Sequence, residues 1–217
     1  KVTVEVDITM GIGIHLCGLG DIAVKESLLR TITALQSLNY HIPGKKIVIN
    51  LAPADLHKSG SGYDLPIAIG IIAASQQRTL PLLGETLVMG ELGLDGSVRP
   101  IKGGLPIADF AAKNGFRKCI LPYSSALEAS GMDGIDVYGI RSLEDAFGIL
   151  EGKEEFDSLR VNTADFDFSR EEQPISYEVD FSDIIGQEGA KRAMEIAASG
   201  GHNIIMIGAP GSGKSSM

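Results

Sequence analysis

An α/β (α+β) fold is what this sequence predicts, and three observations carry it. Strand-like runs alternate with runs of helical spacing over the first 150 residues. One segment among them, "LPIAIGIIAASQQ" (65–77), is apolar all round and reads as a helix buried in a core. Farther along, the apolar run "NIIMIG" leads into "APGSGKSS", the strand-then-loop order in which a phosphate-binding loop is built.

The elements follow one by one. "VTVEVDIT" (2–9) alternates as a strand with Val2, Val4, Val6 and Ile8 on one face, and "GIGIHLCGLGD" is a second apolar stretch. Asp21 is placed to cap a helix over 22–38, where Val24, Leu28, Ile32, Leu35 and Leu38 recur at helical spacing. "KKIVINLAP" (45–53) is a strand broken by Pro53, and Pro66 suits the first turn of the buried helix. "ETLVMGEL" is a strand, and Asp95-Gly96 in "LDGSVRP" signals a hairpin. A helix over 103–115 ends at Asn114-Gly115, and "KCILP" is a short buried strand. A short helix near 124–130, a strand "IDVYGI" and a helix "SLEDAFGIL" with Ser142 as cap and Asp145 in its first turn bring the domain to residue 150. Residues 151–179 read as an acidic linker, and 180–217 as the start of a further domain with a helix over 187–199.

Composition narrows the function classes. Hydrophobic residues make up 44% of the chain, enough for a core, and no apolar run reaches the ~18 residues of a membrane span. The start alternates like a strand and lacks the apolar region of a signal peptide. The net charge of −9 argues against coating nucleic acid by bulk charge. Much of that charge belongs to residues 151–178, where nine acids face three bases. Cys17 and Cys119 form no CxxC pair and the 4 His show no ligand spacing, so two buried, reduced thiols and no metal centre are expected.

"GAPGSGKS" (208–215) fits G-x-x-x-x-G-K-[ST]. Gly208, Gly211 and Gly213 permit the positive-φ path that turns successive N–H groups towards one anion. A helix starting near Gly213 would add its N-terminal dipole. Lys214 would reach the β- and γ-phosphates of ATP and the Ser215 hydroxyl would complete a Mg²⁺ shell. The expected nucleotide-binding set is Gly208, Ala209, Pro210, Gly211, Ser212, Gly213, Lys214, Ser215 and Ser216. Hydrolysis also needs an acid on a later strand and an arginine from a neighbour. Neither falls within the 217 residues, so no catalytic residue and no turnover are expected of this stretch alone.

"VKES", "INLAPADLHKSGSGYDLPIAIGIIAAS", "GELGLDGSVRPIKG" and "IIGQEGAKRAMEIAASGGHNIIMIGAPGSGKS" together resemble the magnesium-chelatase-related ATPases of the YifB/ComM type. Four separated motifs in the right order span essentially the whole chain. The resemblance implies a Lon-protease-like domain (the ribosomal-S5-domain-2-like fold) over 1–150, followed by the start of an AAA+ ATPase module. It further implies ATP and Mg²⁺ as cofactors, a cytoplasmic bacterial protein, and hexameric rings that drive branch migration of DNA during natural transformation. It does not imply porphyrin chemistry.

Lon-type peptidases place a serine nucleophile in a glycine-rich loop opening a buried helix, and a lysine base on the helix after a Gly-Gly-Leu turn. Aligned here, Gly62 stands at the serine position and Ala108 at the lysine position; Ser61 is one residue off and Lys102 precedes the turn. A nucleophile must reach its base within about 3 Å, so peptidase activity is not expected. The loop residues Lys58, Ser59, Ser61, Tyr63 and Asp64 read either as a subunit or nucleic-acid contact, or as a tight turn with Asp64 capping the helix. Lys45-Lys46, Lys113 and Arg117-Lys118 read as solvated faces, because no aromatic residues interleave with them. Three functions stand: a DNA-acting ATP-driven ring motor, an ATP-dependent peptidase or unfoldase, and a non-catalytic platform that orders subunits.

Overall fold

The computed structural model describes residues 2–18, 20–58, 60–165, 181–209 and 211. The chain forms two units, Lys1–Phe166 and Asp167–Met217.

In the first unit, β1 (Thr3–Thr9) runs antiparallel to β3 (Lys46–Ala52), with Thr3 opposite Ala52, and β2 (Ile14–Cys17) runs parallel to β3 on its other side. The alternation turns Val4, Val6 and Ile8 inward while Thr3, Glu5 and Asp7 face water. Cys17 falls on the outward phase of β2 and is exposed, so only Cys119 is the buried thiol that the composition suggested for both. Burial pushes the Cys119 thiol up to about 12, which makes it inert.

α1 (Ile22–Ser37) starts where its cap predicts: the Val24 N–H donates to Asp21 Oδ1 at 2.8 Å. Its inward stripe is more polar than the apolar spacing suggests, with Ser27 and Thr31 fully buried beside Val24, Ala34 and Leu35. α2 (Asp64–Ala74) is the helix expected to be buried; Leu65, Ile67, Ala68, Ile71 and Ile72 are inaccessible on all sides. Ile47, Ile49 and Leu51 of β3 belong to the same apolar core.

The second sheet is wholly parallel, in the order β4 (Thr86–Val88), β7 (Lys118–Pro122), β8 (Asp136–Ile140). Between β4 and β7 lie the hairpin β5 (Glu91–Leu92)/β6 (Val98–Arg99), turned at Asp95-Gly96, and α3 (Gly104–Lys113). The run "ETLVMGEL" is therefore two strands: Gly90 leaves the ladder and its N–H donates to Gly62 O at 3.0 Å. β7 is buried on both faces, as a central parallel strand must be. Ile120 joins the core around α2, while Cys119 and Leu121 join a second core with Ala108 and Ala111 of α3. α4 (Tyr123–Leu127) and α5 (Leu143–Glu151) complete the layer; α5 starts with a full capping box between Ser142 and Asp145.

The domain continues past residue 150. Glu154–Leu159 forms a 3₁₀ turn whose Phe156 and Leu159 pack on the main core, and the Val161 N–H donates to Val137 O at 2.9 Å. Three apolar anchors thus hold the first part of the segment read as an acidic linker. Its later part, 166–179, lies outside the described residues.

The second unit contains a 3₁₀ turn (Phe181–Asp183) and α6 (Glu188–Ser199), in agreement with the helix expected there. Residues 203–208 were expected to form a strand and do not. Ile205 and Ile207 are 83% and 91% exposed. A strand needs neighbours for its backbone groups, and no other strand occurs among the described residues of this unit.

Candidate functional site

Two places were singled out by sequence. At the first, the loop before α2, the peptidase-like positions lack the side chains that a peptidase would need. Gly62 is buried, and a side chain there would press on the Met89 methyl. Ala108 is fully buried in the second core, so the position where a lysine base would stand carries a methyl group. Lys102 is exposed in the turn before α3. The Ser61 hydroxyl donates to Glu91 Oε2, and Glu91 Oε1 lies 3.7 Å from Arg99 Nη1. Ser61 thus faces a carboxylate from β5, a partner that motif alignment did not anticipate.

Of the polar residues of the loop, Lys58 and Asp64 are buried, Ser61 and Tyr63 are half-buried, and Ser59 lies outside the described residues. Lys58 is only 1% exposed and its ammonium donates to Pro53 O, while its own carbonyl accepts from the Asp21 N–H at 3.0 Å. Tyr63, not Asp64, is the N-cap of α2. Asp64 belongs to the first helical turn, where the macrodipole favours an acid. It is also the acceptor at the centre of a buried network. Arg30 grips it with Nε to Oδ2 at 2.8 Å and Nη2 to Oδ1 at 3.1 Å. The Ser27 hydroxyl donates to Oδ1, and the Leu92 N–H donates to Oδ2 at 3.1 Å. The hydrogen bond to Asp64 raises the pKa of Arg30 further. Burial, then the Asp21 charge, raises that of Tyr63. The cap-like reading therefore named the wrong role for Asp64: it joins α1, α2 and β5.

Three of the scattered basic residues have partners within the first unit. Lys113 pairs with Asp109 at 2.8 Å, Arg117 lies 3.6 Å from Glu85, and Lys118 donates to the Tyr138 hydroxyl at 2.7 Å. Among the described residues, no group of His, Cys, Asp and Glu could hold a metal and no helix is long and apolar enough to cross a membrane.

At the second place, Gly208, Ala209 and Gly211 are described and exposed. Gly211 has φ +77°, the left-handed conformation that a phosphate-cradling loop asks of its glycines. Pro210, Ser212, Gly213, Lys214, Ser215 and Ser216 lie outside the described residues.

Comparison with known proteins bears on both places. Residues 4–125 match the family model "Subunit ChlI of Mg-chelatase", and residues 180–217 match "Magnesium chelatase, subunit ChlI". The uncharacterized protein YifB of Escherichia coli is 42% identical over 98% of this chain and 40% of its own length. The competence protein ComM of Haemophilus influenzae is 40% identical over 98% of this chain and 41% of its own. The DNA repair protein RadA of Escherichia coli is 31% identical over 41% of this chain and 18% of its own. The chain thus spans about two fifths of the length of the YifB and ComM relatives.

Proposed function

This chain belongs to the magnesium-chelatase subunit ChlI family, and from that premise we propose that it is part of an ATP-driven AAA+ ring motor acting on DNA. The observation that carries the reading is the order of its parts: an α/β domain, then α6, an apolar run, and a glycine loop of the form G-x-x-x-x-G-K-S. In this reading a Lon-like domain extends from residue 1 through the anchored segment after 150, the rest of 151–179 connects it, and 180–217 begin the ATPase module. The competence and DNA-repair names of ComM and RadA support DNA as the partner.

Gly211 fits the loop's role through its positive φ. Lys214 would hold the β- and γ-phosphates of ATP, the N–H groups of 211–216 would cradle them, and Ser215 would ligate Mg²⁺. Bound Mg-ATP supplies the phosphoryl group whose transfer drives the motor. The test is ATP turnover by the full-length protein with and without branched DNA. Turnover that rises with DNA is the expected result, and a protein that neither binds nor hydrolyses ATP would refute the reading.

The Lon-like domain acts in this reading as a platform that orders subunits, not as a peptidase. Ala108 supports this, since the α3 position at which a lysine base would stand carries a methyl group. Full-length protein with ATP is expected to leave casein intact over hours, as judged by gel electrophoresis. Cleavage that vanishes in Ser61→Ala would restore the peptidase.

A further inference from the structure

A groove of about 550 Å³ runs through the first unit, and its lining says what kind of object fits it. Successive side chains of a strand point to opposite faces, so a cavity over one face touches alternate residues. This one touches consecutive residues: Val2 just before β1 with Thr3 and Val4 at its start, and every residue of β4 with Met89 just after it. It therefore lies beside the two strands, along their edges. Both are edge strands, β1 paired only with β3 and β4 only with β7 among the described residues. The opposite edge of the second sheet is treated differently: at β8, Tyr138 bridges Arg160 and Val137 accepts from Val161. The groove is apolar in its remaining walls, with Ile69 of α2 and Phe110 of α3 among its lining.

An edge strand presents a row of unmatched N–H and C=O groups, and proteins cover or disrupt such edges because they recruit other strands. Here two edges flank one apolar slot. A small apolar ligand would leave those backbone groups without partners, whereas an extended segment would satisfy them and bury its side chains against the two helices. The geometry points to a β-strand seated between β1 and β4, supplied by the same polypeptide from outside residues 1–217. At about two fifths of the length of its YifB and ComM relatives, this chain leaves more than half of such a polypeptide to provide it. The strand completes the domain, and the inference does not depend on ATP or DNA use.

The test compares backbone hydrogen exchange in the 217-residue chain and in the full-length protein, by mass spectrometry of peptides covering 2–9 and 84–92. Exchange of both is expected to slow by roughly an order of magnitude or more in the full-length protein. Equal exchange in the two forms overturns the proposal. A benzophenone maleimide on Thr3→Cys, in a full-length Cys17→Ser background, identifies the occupant. Protomers of two isotopic compositions are mixed so that contacts within and between polypeptides differ in mass. A cross-link within one polypeptide, to a peptide outside 1–217, is the expected result. A cross-link to 203–207, to any other part of 1–217, or to a neighbouring protomer overturns it.

Discussion

Full-length protein carrying Lys214→Ala is expected to lose ATP turnover by at least about a hundredfold, since removal of a single donor from a developing anionic charge costs ~10²–10³ in rate. A loop rich in glycine can aim several N–H groups at one phosphate, and Gly211 already has the positive φ that such a path requires. Backbone dipoles bind phosphate but carry no net charge, whereas the transferring phosphoryl group is strongly anionic. Lys214 is the cation that the motif places beside it, and its flexible stem makes it a point charge with no structural duty elsewhere in the motif. Loss of turnover with the far-UV circular dichroism unchanged would support the assignment. Near-normal turnover would remove 208–216 from the active site.

How legible these sites are depends on how local their causes are. Asp21 caps α1 and Ser142 pairs with Asp145, because each interaction closes within three residues and leaves its mark in the sequence. The burial of α2 is equally plain, since "LPIAIGII" has no polar face to offer water. What stays hidden is set by partners far along the chain. Asp64 meets Ser27 across 37 residues and Leu92 across 28, so a reading confined to its own turn makes it a cap. Gly90 splits one expected strand into two because its N–H is claimed by Gly62. The acid-rich stretch after 150 reads as unstructured by composition, yet Phe156, Leu159 and Val161 pin down its first part. The run at 203–208 has strand composition but, among the described residues of its unit, no strand to pair with. The Ser61–Glu91 contact had one sequence signal: the acid Glu91 on the first strand of the hairpin, in "GELGLDG".

Asp64→Ala is expected to destabilise the first unit by about 3 kcal/mol or more, the largest effect of any single side chain in the α2 loop. The Asp64 carboxylate is fully buried, and it accepts from Arg30, Ser27 and the Leu92 backbone, so nothing about it is exchanged for water without a loss. Truncation leaves a buried hydroxyl and a buried N–H without acceptors, each costing ~1–3 kcal/mol, and strands the guanidinium of Arg30. Arg30 retains 22% exposure, so its head group can recover some hydration, and this places the expected loss at the lower end of the ~3–5 kcal/mol typical of a broken buried pair. The network also decides geometry. Asp64 holds β5 through Leu92 and α1 through Arg30, and β5 carries the Glu91 that engages Ser61. Urea unfolding of wild type, Asp64→Ala, Arg30→Ala and the double variant measures the pair directly. A coupling of ~1–3 kcal/mol is expected, with the double variant less damaged than the sum of the singles. Additive effects totalling under about 1 kcal/mol would mean that the carboxylate is no more than a polar residue tolerated at the mouth of α2.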